Sequence, residues 1–183
     1  SNSYYRGSGK DRNLGLHNRR RNSSLKLRVK EAKKLIKPLS IDEVKVFIRS
    51  ISKYRDLALV YLMLFNGLRS IEVRRLKWCD LDTLTMRMKV HGKGNKERML
   101  PLNEVLKEVL EKYRQIEHPK NTSSEYVFTI LQGTNRGKQM KASSIRGVFR
   151  YNRIKSGVPT ANPHRFRHTF GSELARQKLD ILH

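Results

Sequence analysis

Residues 56–72 read DLALVYLMLFNGLRSIE, and this stretch decides the fold. Leu57 to Phe65 are nine apolar residues in a row. A helix that is apolar on every side belongs inside a domain, so Asp56 to Asn66 reads as a buried helix. Gly67 suits the left-handed backbone of a helix stop, since glycine has no Cβ to clash there. Arg69 then stands at a junction, and a short third helix runs from it through Leu76.

Upstream, Ser40 with Glu43 three residues on is a capping-box pattern, and Val44, Phe47, Ile48 and Ile51 follow at helical spacing, which predicts a helix over about 41–52. Downstream, Thr83 to Val90 alternates, with Leu84, Met86, Met88 and Val90 on one side, and reads as a half-buried strand. Gly92-Lys93-Gly94-Asn95 is a turn signal, so this strand and the stretch Arg98 to Leu102 form a hairpin with Lys93 near its tip. Helices are expected at about 103–117, 142–155 and 163–178, with a short strand near Tyr126 to Thr129. The expected object is mainly α with a small antiparallel β-sheet, an α+β domain over residues 38–183.

Residues 1–37 differ in character, with twelve Lys or Arg, two acids and scattered Gly, Ser and Asn. They read as a basic flexible arm or linker that could order on DNA. Over the whole chain of 183 residues, 40 Lys and Arg against 16 Asp and Glu leave a formal charge of +24. A polyanion is the partner such a charge calls for, and nucleic acid is the first candidate. The longest apolar run falls well short of the roughly 20 residues that span a bilayer, so no membrane segment is expected and the reading is a soluble cytoplasmic protein. The lone Cys79 allows no internal disulfide and is expected to be a small packed residue.

The helix from Pro163, capped by Asn162, carries Phe166, Phe170 and Leu174 as one apolar stripe. His164, Arg167, His168 and Gly171 fall roughly 110° around from it, so His164 and Arg167 point the same way one turn apart. Arginine offers a planar fork of donors to a phosphate and histidine a titratable donor. These two residues alone fit either chemistry at a phosphodiester or plain contact with a DNA backbone. Arg69 after its helix stop and Lys93 at its hairpin tip are likewise either ligand-facing groups or ordinary surface cations. Glu72 either holds an arginine or histidine in place or is a surface acid.

Three stretches together resemble the tyrosine recombinase family, the phage-integrase-like enzymes that cut and rejoin DNA. Phe65-Asn66-Gly67-Leu68-Arg69-Ser70-Ile71-Glu72 looks like its first arginine motif, Gly92-Lys93-Gly94-Asn95-Lys96-Glu97-Arg98 is similar to its lysine hairpin, and His164-Arg165-Phe166-Arg167-His168-Thr169-Phe170 is like its His-x-x-Arg box. Their order and spacing match over about residues 38–183. The resemblance implies that Arg69 and Arg167 clamp the scissile phosphate, His164 donates to it and Lys93 protonates the leaving 5′-hydroxyl, with Lys96 as the alternative lysine. It makes Glu72 the acidic residue near Arg69, with His168 a further supporting residue. Arg19, Arg20 and Arg21 of the arm, with Arg146, Arg150 and Arg165, are expected to touch DNA.

The resemblance further implies DNA recombination of the kind mobile elements use, through a 3′-phosphotyrosine, on double-stranded DNA and with self-assembly into a tetramer. It needs no metal or other cofactor, because the covalent intermediate conserves the bond energy. The family's nucleophile is a tyrosine about thirty residues after the box arginine, whereas 16 residues follow Arg167 and all seven tyrosines precede the box. The domain is therefore expected to lack its nucleophile segment. A non-catalytic DNA-binding module is the alternative. A metal-dependent nuclease built on Asp56, Asp80, Asp82 or Glu72 is a weaker one, since these acids stand isolated among cations in the sequence.

Overall fold

The buried central helix forms as α2, Tyr54–Asn66, in a computed structural model that describes residues 37–92, 94 and 96–171. Ala58 to Leu64 have essentially no solvent contact, as the continuous apolar run requires. Glu117 caps the start of α2, accepting from the Tyr54 N–H at 2.9 Å and the Arg55 N–H at 3.0 Å. Gly67 ends it at φ +61°, the left-handed stop expected of glycine.

Around α2 lie α1 (Ile41–Arg49), α3 (Ser70–Arg75), α4 (Glu104–Lys112), α5 (Ala142–Ser156) and α6 (Pro163–Phe170). Helices α4 and α6 both pack on α2, and α1 packs on α5. The capping box at α1 closes in both directions, the Ser40 hydroxyl accepting from the Glu43 N–H at 3.2 Å and Glu43 Oε2 from the Ser40 N–H at 2.8 Å. Three rings join α1, α5 and α6, with Phe166 centred 4.9 Å from Phe47 and 5.6 Å from Phe149. Phe166 is thus the packing anchor of α6, while Phe170 remains 41% exposed. Helix α4 continues into a widened turn, Tyr113–Glu117, closed by the His118 N–H on the Tyr113 carbonyl at 2.8 Å.

The sheet has three antiparallel strands in the order β1 (Leu81–Asp82), β2 (Arg87–His91) and β3 (Glu97–Pro101). Strands β2 and β3 pair Met88 with Leu100 and Val90 with Arg98, forming the hairpin whose tip spans residues 92–96. The strand expected from Thr83 starts later than its alternation suggests. Residues 83–86 are a turn instead, because Asp82 Oδ1 accepts from the N–H groups of Leu84 and Thr85, both at 3.0 Å, and so folds the chain back on itself. Leu84 is consequently 94% exposed.

Two other expectations need correction. Residues 126–129 make isolated bridges in place of a strand, since Tyr126 pairs with Lys77 and Thr129 with Gln139, two segments that cannot extend one ladder. Cys79 is exposed, because the tight turn Trp78–Asp80 sends Asp80 inward to cap the Lys77 N–H at 2.9 Å and turns its middle residue outward. Among the described residues no helix is long and apolar enough to cross a membrane.

Candidate active site

The site is built where α2 stops. The left-handed turn at Gly67 ends one helix and lets Arg69 cap the next, so Glu72, in the first turn of α3, reaches back to accept from the Arg69 N–H at 2.7 Å. Its carboxylate is buried, its side chain only 2% exposed. A buried charge must find partners, and Glu72 finds three guanidinium groups. Arg98 of β3 grips it with both ends of its fork, Nη1 to Oε1 at 2.9 Å and Nη2 to Oε2 at 3.0 Å. Arg69 Nη1 reaches Oε1 at 3.3 Å, and Arg167 Nη1 lies 3.9 Å from Oε2. Arg167 also donates to the Gly67 carbonyl, which ties α6 to the end of α2.

Burial pushes the Glu72 carboxyl up, but the Arg98 fork, the Arg69 N–H and the two positive charges outweigh it and hold the carboxyl below its ordinary value. The hydrogen bonds that Arg98 donates to Glu72 correspondingly raise Arg98. Burial and the neighbouring charge of Arg69 lower Arg167, against the pull of Glu72. Arginine stays protonated throughout, so one negative charge sits among three positive ones. The surplus is turned outward chiefly at Arg69, whose side chain is 59% exposed, against 37% for Arg98 and 32% for Arg167. Such an arrangement suits an anion with several oxygens.

Of the residues singled out in the sequence, Arg69, Glu72 and Arg167 come together. Glu72 is buried and bonded to Arg98 and Arg69, not lying at the surface. His164 is exposed one turn before Arg167 on α6, and His168 is exposed one residue after it. Lys93 lies outside the described residues, as do Arg19, Arg20 and Arg21. Gly92, directly after β2, does lie beside the site, because a Cβ there would stand 3.6 Å from Arg98 Nη1 and 3.9 Å from Glu72 Oε1. Lys96 is exposed at the same tip, its carbonyl accepting from the Gly92 N–H at 2.8 Å. Arg146 and Arg150 are exposed one turn apart on α5. Arg165 lies toward Glu43, whose carboxyl is lowered mainly by the Ser40 N–H and in small part by the Arg165 charge.

The other acids are occupied separately. Asp56 pairs with Arg55 at 2.7 Å, Asp80 with His91 at 3.2 Å, and Asp82 holds its turn. His91 also meets Glu97 at 3.2 Å, but among the described residues no three His, Cys, Asp or Glu side chains are placed to hold a metal ion.

The phage integrase family matches residues 26–182. The chain belongs to that family. Among phage integrase relatives, tyrosine recombinase XerC of Staphylococcus saprophyticus is 30% identical over 131 residues, 69% of this chain and 42% of the relative. XerD of Staphylococcus aureus is 29% identical over 158 residues, 81% of this chain and 52% of the relative. The chain thus spans about half the length of the curated relatives it matches. The crystal structure of XerA recombinase superposes with a TM-score of 0.66 at 28% identity, covering 78% of this chain and 52% of that one.

Arg98 is the member of this candidate site to which sequence reading gave no role, taking it as the start of an apolar stretch and the last residue of the hairpin motif. The signal was its parity. Arg98 and Leu100 face inward on β3 while Glu97, Met99 and Pro101 face out, and an arginine on the inward side of a strand demands an acid.

Proposed function

We propose that the chain forms the phosphate-binding catalytic part of a site-specific DNA recombinase or integrase. The observation that carries this reading is the exposed surplus of guanidinium charge held around one buried carboxylate, Glu72. In-line attack on a phosphodiester adds negative charge to the non-bridging oxygens, and fixed donors aimed at them stabilise it, each worth about 10² to 10³ in rate. In the proposed reaction Arg69 and Arg167 take these oxygens and His164 donates to the same phosphate. A tyrosine outside residues 1–183, its hydroxyl proton released to solvent, attacks phosphorus, the bond to the 5′-oxygen breaks, and Lys93 gives that oxygen its proton, leaving a 3′-phosphotyrosine. Reversal by a new 5′-hydroxyl rejoins the strand. The formal charge of +24 supports double-stranded DNA as the substrate, with Arg146 and Arg150 as backbone contacts. Assembly as a tetramer on DNA belongs to the same proposal.

The test uses the whole protein with nicked DNA carrying its site and no added metal. A covalent protein–DNA adduct is the expected product. Retained DNA binding without an adduct would select the non-catalytic module instead.

A further inference from the structure

The carboxylate of Glu72 offers about four lone-pair positions, and four donors fill them. They are Arg98 Nη1 at 2.9 Å and Nη2 at 3.0 Å, the Arg69 N–H at 2.7 Å and Arg69 Nη1 at 3.3 Å. Arg167 Nη1 at 3.9 Å is close enough for attraction yet too far for a hydrogen bond. Arg98 therefore takes half of the acceptor capacity, one donor to each oxygen, and it comes from the strand that also holds the hairpin tip.

We infer that Arg98 is a positioning residue: by occupying both oxygens of Glu72 it leaves the Arg69 and Arg167 forks available to a phosphodiester, and it ties the β2–β3 hairpin to them. The inference rests on the phosphate-binding reading above. A carboxylate denied its Arg98 fork does not stay half-satisfied in a buried place. The nearest donors are Arg167 Nη1 and the remaining Nη groups of Arg69, so Glu72 draws them inward and their forks turn from the anion to the acid. Loss of Arg98 thus removes one positive charge directly and withdraws two others. Gly92 explains how the hairpin shares in this. An added Cβ at Gly92 would lie 3.6 Å from Arg98 Nη1 and 3.9 Å from Glu72 Oε1, so the first residue after β2 stands beside the cluster that Arg98 organises.

The experiment follows the side-chain Nε–H NMR signals of Arg69 and Arg167 in the wild-type chain, in Arg98→Gln and in Arg98→Lys, first without ligand and then in a titration with inorganic phosphate at constant ionic strength. Near-UV circular dichroism of Trp78 reports folding. Without phosphate, R98Q is expected to shift both arginine signals and to slow rotation of their guanidinium groups. With phosphate, R98Q is expected to bind on the order of tenfold more weakly, the scale of losing charge-assisted hydrogen bonds. R98K restores charge without a fork and is expected to fall between the two. If R98Q fails to fold, R98K carries the same comparison with a smaller shift. Folded variants whose Arg69 and Arg167 signals match the wild type without ligand would overturn the positioning role. A wild-type chain that shows no saturable response to phosphate would instead overturn the phosphate-binding reading, while the ligand-free comparison still decides what Arg98 does.

Discussion

Helix α2 has ionic clusters at both ends, and they are built to opposite purposes. At its start two acids meet one cation. Arg55 lies 2.7 Å from Asp56 Oδ1 and donates to the Thr129 carbonyl at 3.3 Å, while Glu117 takes two backbone N–H groups. At its end one acid meets three cations. Both clusters respect the helix dipole, with acids at the positive end and cations at the negative one. They differ in what is left over. The Arg55 and Asp56 side chains are each 12% exposed and face each other, whereas Arg69 is 59% exposed although its acid is buried. A structural cluster consumes its donors, and a binding cluster holds its donors by one edge and presents the other.

The largest effect should come from removing the charge on which the open cluster depends. Glu72→Gln takes the one negative charge away from three guanidinium groups and weakens the charge-assisted hydrogen bonds they donate to it, at a cost of about 1.5–3 kcal/mol. Asp56→Asn should cost under about 1 kcal/mol, since burial already pushes the Asp56 carboxyl up despite Arg55 and the amide keeps an oxygen for the guanidinium. Urea denaturation of the two variants measures both. Equal losses would mean that the two ends of α2 are energetically alike.

Next in size is a division of labour between arginines. In the whole protein Arg167→Ala should lower DNA strand cleavage by about 10² to 10³ while most DNA binding survives, as expected of donors that act on the transition state. Arg55→Ala should do the reverse, lowering stability while leaving the cleavage rate per folded molecule unchanged. Parallel losses of binding and cleavage in Arg167→Ala would reduce the open cluster to a basic patch.

Much of this contrast was legible in the sequence. The stop at Gly67, the capping box of Ser40 and Glu43 and the facing of Arg167 on α6 follow from local rules, because each depends on residues within a turn or two of one another. Arg98 depends on a partner 26 residues away in the chain, and only strand parity hinted at it. The turn at residues 83–86 escaped because an alternating apolar pattern and an Asp82 turn compete over the same residues, and the side-chain hydrogen bonds of Asp82 won. Cys79 was misplaced for a related reason: a one-turn helix decides which of its residues faces in, and composition does not.

Gly67 offers a smaller effect that sharpens the comparison, since it is where the end of α2 meets α6. Gly67→Ala puts a Cβ into a left-handed backbone at a cost of about 1–2 kcal/mol. The new atom would also collide with Phe170 Cδ1, so the ring must move. Because Arg167 hydrogen-bonds the Gly67 carbonyl, the displaced ring and carbonyl should loosen the arginine as well. The double variant Gly67→Ala with Phe170→Ala should recover the steric part and retain only the backbone cost. If the double variant were no more stable than Gly67→Ala alone, the close approach of Phe170 would not matter.

Acid should separate the two ends most gently. The folded-state value of Glu72 lies below its ordinary 4.5, so its contribution is fully present above pH 4.5 and is lost as pH falls through the lowered value, where the unfolded chain takes up the proton first. Asp56 has the opposite sign. Its folded value lies above its ordinary 3.8, so the folded chain takes up the proton first and this site gains stability as pH falls. Urea midpoints measured from about pH 6 to about pH 3.5 should therefore fall less steeply in Glu72→Gln than in the wild type, and more steeply in Asp56→Asn. The remaining carboxylates contribute alike to all three proteins, so the ordering of slopes isolates the two ends of one helix. A Glu72→Gln slope as steep as the wild type would show that its three arginines do not hold the carboxylate ionised.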